Sequence, residues 1–202
     1  HLSALARQAL EDEVDLTPKP GLVDRRNTGA HDDMDRPLFH RSAGALAPYF
    51  RQFAALGMAG ASPRELQSLG REAEHAMLDA TGGVNTHKGA VFSVGIVCAA
   101  LGRLDRSLWA EAARVLAEVS AMTAGLTEKD FAGVTAENAA TVGQKLYIRY
   151  GITGVRGQVE AGLPAVLNVG LPVLEEGLAK GYDFDRVGGG ALPVSYTHLR
   201  AH

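Results

Sequence analysis

The sequence predicts an all-α fold, a single-domain multi-helix bundle with polar, glycine-rich loops at the helix junctions. Three observations carry this. Apolar residues recur at three- and four-residue intervals along most of the chain, the period of a helix with one buried face. No segment shows the two-residue alternation of a half-buried strand, and no hairpin turn signature joins two apolar runs. The 202 residues, 46% apolar and 21% charged, suit one domain with a substantial core.

The first helical pattern is Leu2, Leu5, Ala6, Ala9, Leu10 and Val14, and it stops at "TPKPG", where Pro18 and Pro20 forbid continuation. A loop without periodicity follows, "LVDRRNTGAHDDMD". From Asp35, which is placed to cap, the period returns through Leu38, Phe39, Ser42, Ala45, Leu46, Tyr49, Phe50 and Phe53, with a kink expected at Pro48. Ser62-Pro63-Arg64-Glu65 reads as a capping box launching Leu66, Leu69, Ala73, Ala76 and Met77. A helix over Val91 to Leu101 follows the Gly82-Gly83 turn, and Asp105 is expected to cap another running through Leu108, Ala112, Val115, Leu116, Val119 and Met122. Ala136 to Tyr150 is expected to be helical. "YGITGVRG" breaks the pattern, and Val159 to Leu178 resumes it despite Pro164 and Pro172.

Composition narrows the function classes. A net charge of −3 gives no support for nonspecific nucleic-acid binding, so an anionic ligand must be held by a local cluster. Cys98 is the only cysteine, excluding an internal disulfide, and its surroundings "VGIVCAAL" make it a packing residue. No apolar run approaches the roughly 20 residues that cross a bilayer, and no signal peptide opens the chain, so a cytoplasmic protein is expected. The chain starts at His1 inside a helical pattern and is expected to be truncated at both ends. Residues 1–187 read as the domain. From 188 onward, "GGGALPVSYTHLRAH" drops the helical rhythm and reads as a translated sequencing adapter, a non-native tail set aside from functional reasoning.

The chemistry-bearing side chains concentrate in three loops: "TPKPGLVDRRNTGAHDDMD", "TGGVNTHKG" and "GITGVRGQVEAG". Each sits at a helix junction, where glycine lets the backbone approach a ligand and the next helix presents unpaired N–H groups, a geometry suited to phosphate. Lys19, Arg25, Lys88 and Arg156 would add charge, the arginines in bidentate fashion, and Gly82, Gly83, Asn85 and Thr86 would line the turn. Lys88 precedes Gly89 rather than following it, and no strand comes before, so this is not a Walker loop; a capped structural turn is the competing reading. Asp24, Asp32, Asp33 and Asp35 in one loop suit magnesium, which takes a few carboxylates plus water and phosphate oxygens. His31 and His87 are candidate acid–base groups or donors. Glu13 lies beside the apolar face of the first helix, and Glu160 stands four residues after Arg156; each is either paired with a cation or functional.

Three stretches, "EVDLTPKPGLVDRRNTGAHDDMD", "ATGGVNTHKGAVFSVGIVCAALGRL" and "LYIRYGITGVRGQVEAGLP", together resemble triphosphoribosyl-dephospho-coenzyme A synthases. Those are ATP-dependent enzymes that make the prosthetic-group precursor of citrate lyase and malonate decarboxylase. The resemblance spans nearly all of residues 1–187 and leans toward the citrate lyase version. It implies an all-α fold and transfer of the triphosphoribosyl group of ATP to 3′-dephospho-coenzyme A with release of adenine. It also implies a product handed to an acyl-carrier-protein prosthetic-group transferase, and no nucleic-acid or membrane partner. On that reading Lys19, Arg25, Gly82, Gly83, Asn85, Thr86, Lys88 and Arg156 hold the substrate and its triphosphate, and Asp24 and Asp33 hold Mg²⁺. Asp24, Glu13, Glu160 and His87 supply catalysis around an oxocarbenium-like sugar. Two departures stand out. Gln158 occupies a position where the family usually has glutamate, leaving Glu160 as the matching acid, and a later polar motif with D-T-N is absent. A non-catalytic nucleotide-binding module and an adenine-releasing N-glycosidase are the alternative functions.

Overall fold

The computed structural model describes residues 1–189, and the expected tail lies, apart from its first two residues, outside the described residues. Among the described residues every regular element is helical, as the periodicity predicts. The helices are α1 (Leu2–Asp15), α2 (Arg36–Met58), α3 (Pro63–Thr81), α4 (Lys88–Arg103), α5 (Ala112–Thr123), α6 (Leu126–Phe131), α7 (Val142–Tyr150), α8 (Gly154–Glu160) and α9 (Leu171–Ala179). A 3₁₀ turn (Arg106–Leu108) precedes α5 and a π-helical turn (Val166–Gly170) leads into α9. None of these helices is long and apolar enough to cross a membrane.

Caps place the boundaries. The Asp35 carboxylate accepts from the Leu38 N–H at 2.9 Å and starts α2, which then runs unbroken through Pro48. Ser62 and Glu65 form the expected reciprocal capping box, with Pro63 in the first turn of α3. Elsewhere the sequence-based boundaries need correction. Asp105 caps only the short 3₁₀ turn, and α5 begins at Ala112. The helix expected from Ala136 starts at Val142, because Thr141 and Gln144 form a second capping box that stops the pattern from extending backward. The helix expected over Val159 to Leu178 is two: α8 ends at Glu160, and Gly162 and Leu163 both adopt positive φ, 76° and 52°, before the chain turns helical again at Pro164. The short helix α6 was not anticipated.

Helix α2 is the hub, packed on α1, α3 and α4, and α4 in turn packs on α5 and α8. Their shared core holds Leu46, Phe50, Phe53, Met77, Val91, Cys98, Val119 and Val159. Burial pushes the Cys98 thiol up to about 12, which agrees with a packing role. α2 and α4 run in the same direction. Their N-terminal parts meet at Ser42 and His87, and toward their C-terminal ends the backbones touch. A Cβ added to Gly57 would stand 1.9 Å from the Ala99 carbonyl oxygen, and one added to Gly102 would stand 2.0 Å from that of Ala54. Gly95 similarly leaves room for the Phe53 ring, 2.9 Å from where its Cβ would be.

This seam tolerates no methyl group. Gly57→Ala is expected to cost at least the roughly 1–3 kcal/mol of an overpacked core, because the obstacle is backbone. At about 2–4 °C per kcal/mol for a chain of this size, a clear drop in Tm should follow in thermal denaturation. Gly70→Ala in α3, whose new Cβ would meet nothing nearer than the Phe53 ring at 4.0 Å, is expected instead to stabilise by about 0.5–1 kcal/mol.

Candidate active site

Between α1 and α2 the chain makes a compact loop organised by one carboxylate. Asp24 is buried, and its Oδ1 accepts from the N–H groups of Arg26 at 2.7 Å and Asn27 at 3.0 Å while Oδ2 accepts from Lys19 N–H at 3.1 Å. Burial pushes its pKa up, but these three donors more than offset that and hold it below the ordinary carboxylate value. Lys19 turns inward with its side chain only 3% exposed, and its Nζ donates to the Glu13 carbonyl at 2.6 Å and to Glu13 Oε1 at 2.9 Å. Arg25 pairs with Asp185, whose other oxygen accepts from Thr17 N–H at 3.0 Å, so the helical turn over 184–189 closes against the loop. Asp15 ties the ends of the loop: it accepts from Arg36 Nε at 2.5 Å and contacts His40 Nε2 at 2.9 Å. The Arg36 guanidinium, aided by His40, holds the Asp15 carboxyl far below the usual range.

The second loop joins α3 to α4. Gly82 ends α3 in the left-handed conformation, φ 66°, and Gly83 continues at φ 93°, which explains the glycine pair in conformational terms. The Thr81 hydroxyl has the carbonyls of Val84 at 2.6 Å and Met77 at 2.8 Å as acceptors for its one proton. Asn85 Oδ1 accepts from Lys88 N–H at 3.2 Å, but α4 begins at His87 without a side-chain cap bond of the usual kind. Lys88 projects outward and pairs with Glu74 at 3.0 Å. His87 points inward and is 6% exposed. Its Nδ1 lies 2.8 Å from Ser42 Oγ, Thr86 Oγ1 lies 2.7 Å from that same Oγ, and the Phe39 ring packs nearly perpendicular to it with centroids 5.1 Å apart. Burial first, then the neighbouring charges of His40 and Lys19, push the His87 imidazole down to about 4.

The third loop makes its own set of contacts. Arg156, within α8, donates to Asp130 at 2.5 Å. Glu160 accepts from Gly125 N–H at 2.7 Å, from Thr127 N–H at 3.0 Å and from the Thr127 hydroxyl, so it fixes the start of α6 and its pKa is lowered by those donors. Gln158 Oε1 lies 3.5 Å from Ala165 N.

Lys19, bonded to Glu13 at the end of α1 and through its N–H to Asp24, lies close enough for its charge to lower the His87 pKa, which puts the first loop beside the second at the N-terminal part of α2. Arg25 lies on the outer side of that assembly. Among the described residues no hydrogen bond or ion pair connects Arg156 or Glu160 to it, and Lys88 with the open Gly82-Gly83 turn faces solvent. Asp33 is exposed on an open cleft of about 470 Å³ lined by Thr28, His31, Asp32, Asp35, Leu38 and Arg41 among others. No three carboxylate, imidazole or thiol groups among the described residues converge as a preformed metal site. Asp24, its oxygens given to backbone donors, does not fit as a metal ligand. Asp32 and Asp33 fit the one or two carboxylates that magnesium takes beside phosphate and water. Sequence reasoning missed Ser42, Glu74 and Asp185. Ser42 carried a readable signal, a hydroxyl on the apolar stripe of α2.

Asp24→Asn is expected to cost about 1–3 kcal/mol at neutral pH, since an amide nitrogen would face a buried N–H donor. Asp24 is depressed in the folded state, so its contribution is fully present above the unfolded value of about 3.9 and lost as pH falls through the folded value. The stability gap between wild type and variant, read by denaturant titration, should therefore narrow below about pH 4.

The family model described as CitG: ATP:dephospho-CoA triphosphoribosyl transferase matches residues 1–191. The chain is 43% identical over 201 residues to the 2-(5''-triphosphoribosyl)-3'-dephosphocoenzyme-A synthase of Pectobacterium atrosepticum, covering 96% of this chain and 65% of that protein. It is 42% identical over 208 residues to the probable synthase of the same name from Albidiferax ferrireducens, covering 100% of this chain and 67% of the relative. To the synthase of Escherichia fergusonii it is 40% identical over 209 residues, 99% of this chain and 67% of the relative. The chain thus spans about two thirds of the length of the curated relatives it matches. No solved structure matches it. With a family match across nearly its whole length and relatives at this identity, the chain belongs to the ATP:dephospho-CoA triphosphoribosyl transferase family.

Proposed function

We infer that the protein transfers the triphosphoribosyl group of ATP to 3′-dephospho-coenzyme A and releases adenine, making the prosthetic-group precursor of citrate lyase or malonate decarboxylase. The observation that carries this reading is the family match over residues 1–191, which takes in all three polar loops. In the reaction a ribose hydroxyl of dephospho-coenzyme A forms a bond to C1′ of ATP's ribose. The bond from C1′ to the adenine nitrogen breaks with its electron pair going to adenine, and the hydroxyl proton is balanced on adenine. The triphosphate stays intact and serves for orientation, so a P-loop is unnecessary.

Local geometry favours particular roles. Lys88, Arg25 and Arg156 each hold an exposed ion pair, with Glu74, Asp185 and Asp130. Such pairs are worth about 0–1 kcal/mol, so exchanging the carboxylate for a phosphate costs little. Asn85, Thr86 and the Gly82-Gly83 turn stand beside the α4 N-terminus, whose dipole favours an anion. Magnesium would arrive with ATP and neutralise triphosphate charge, with Asp33 and Asp32 as its protein ligands. Asp24 and Glu160 are spent on backbone donors and act here as framework. Among the acids expected to be catalytic, that leaves Glu13, half exposed and held by Lys19, to accept the attacking hydroxyl's proton. The product would pass to an acyl-carrier-protein prosthetic-group transferase.

The test is to incubate the full-length protein with ATP, Mg²⁺ and 3′-dephospho-coenzyme A and follow free adenine and the coupled product by mass spectrometry. Adenine should appear in step with a triphosphoribosyl adduct and only when dephospho-coenzyme A is present. Adenine without the acceptor would make the protein an N-glycosidase, and ATP recovered intact would make it a binding module. Lys88→Ala should raise KM for ATP roughly ten- to hundredfold, the value of one charge-assisted hydrogen bond of about 1.5–3 kcal/mol.

A further inference from the structure

Ser42 has no place in the roles above, yet it is completely buried in the N-terminal part of α2 and its hydroxyl sits between two groups of the second loop. A hydroxyl has one proton to give. Thr86 Oγ1 lies 2.7 Å from Ser42 Oγ, which lies 2.8 Å from His87 Nδ1, so the three groups form one chain whose protons run in a single direction; with Thr86 as the outer donor, the Ser42 proton goes to Nδ1. In that direction Nδ1 is an acceptor and the imidazole carries its proton on Nε2. That nitrogen is buried and has no hydrogen-bond partner among the described residues. A buried donor without an acceptor is costly, and native structures rarely leave one without a reason. The groups charging the surroundings from the first loop and from α2, Lys19 and His40, are themselves basic and disfavour a second proton on the ring.

We propose that Ser42 is a positioning residue that, with Thr86 behind it, holds His87 as a neutral imidazole protonated on Nε2, a fixed hydrogen-bond donor reserved for an acceptor nitrogen of a purine base. This rests on the transferase reading and deepens it. As adenine departs, electron density builds on its ring nitrogens, and a neutral donor stabilises that density without transferring a proton. His87 then serves neither as the acid nor as the base. For a base to reach the buried Nε2 a neighbour of the ring must yield, and Phe39 packs against that ring with centroids 5.1 Å apart.

Two readouts test this on the full-length protein labelled with ¹⁵N-histidine. Long-range ¹H–¹⁵N correlation spectra should show His87 as the Nε2–H tautomer, and its Nε2 signal should move on addition of free adenine. Ser42→Ala and Thr86→Val should each populate the other tautomer and lower kcat for adenine release about tenfold, the worth of one neutral hydrogen bond, and Ser42→Ala should leave KM for ATP unchanged. Thr86→Ser, which keeps the hydroxyl, should restore both. Thr86 is only half buried, so its variants report even where Ser42→Ala folds poorly. An Nδ1–H tautomer in the wild type, or wild-type kcat in Thr86→Val, would overturn the proposal. So would an Nε2 signal indifferent to adenine, the result expected if an internal water is its partner. A wild type that releases no adenine would overturn the transferase reading instead, while the tautomer spectra still decide the role of Ser42.

Discussion

Gly57 and Gly102 allow the backbones of α2 and α4 to come into direct contact, and because the two helices run in the same direction, this contact toward their C-terminal ends sets what meets at their N-terminal ends. What meets there is Ser42 and His87, with the charge of Lys19 from the first loop nearby. The core residues around the seam, Leu46, Phe50, Phe53, Val91 and Ala99, hold the two helices in one register. A shift of a fraction of a turn would part the serine from the histidine and leave two buried polar groups unpaired instead of one.

The polar groups around this seam divide into framework and exchangeable charge. Asp24 and Glu160 each gather several backbone donors and fix a loop or a helix start. Arg25, Lys88 and Arg156 instead hold exposed ion pairs, weak enough to release a cation to a polyanion. Lys19 falls between the classes: it is charged and buried, but its partners are a carbonyl and a carboxylate on the last turn of α1. In a chain with net charge −3, an ATP site must be made from such local rearrangement rather than from a global field.

The fold class was legible because buried stripes with a helical period, and caps such as Asp35 and Ser62-Glu65, are written in adjacent residues. What was not legible depends on partners distant in sequence. The loop carboxylate Asp24 reads equally as a metal ligand or a backbone staple until the N–H groups of Lys19, Arg26 and Asn27 are seen to converge on it. Glu160 is committed to residues some thirty-five positions earlier, and Asp185 to Arg25, 160 positions away. The break at Gly162 was hidden because Leu163 adopts positive φ against its preference, held there by packing that no local pattern displays.

The claim on which the functional account depends is that the first and second polar loops form one nucleotide site around the N-terminal part of α2. Hydrogen exchange of the full-length protein with and without saturating ATP tests it most directly. The account predicts that amides in residues 17–35 and 82–90 slow together on ATP binding, while those of α9 keep their rates. Slowing confined to one of the two loops, or to neither, would contradict it.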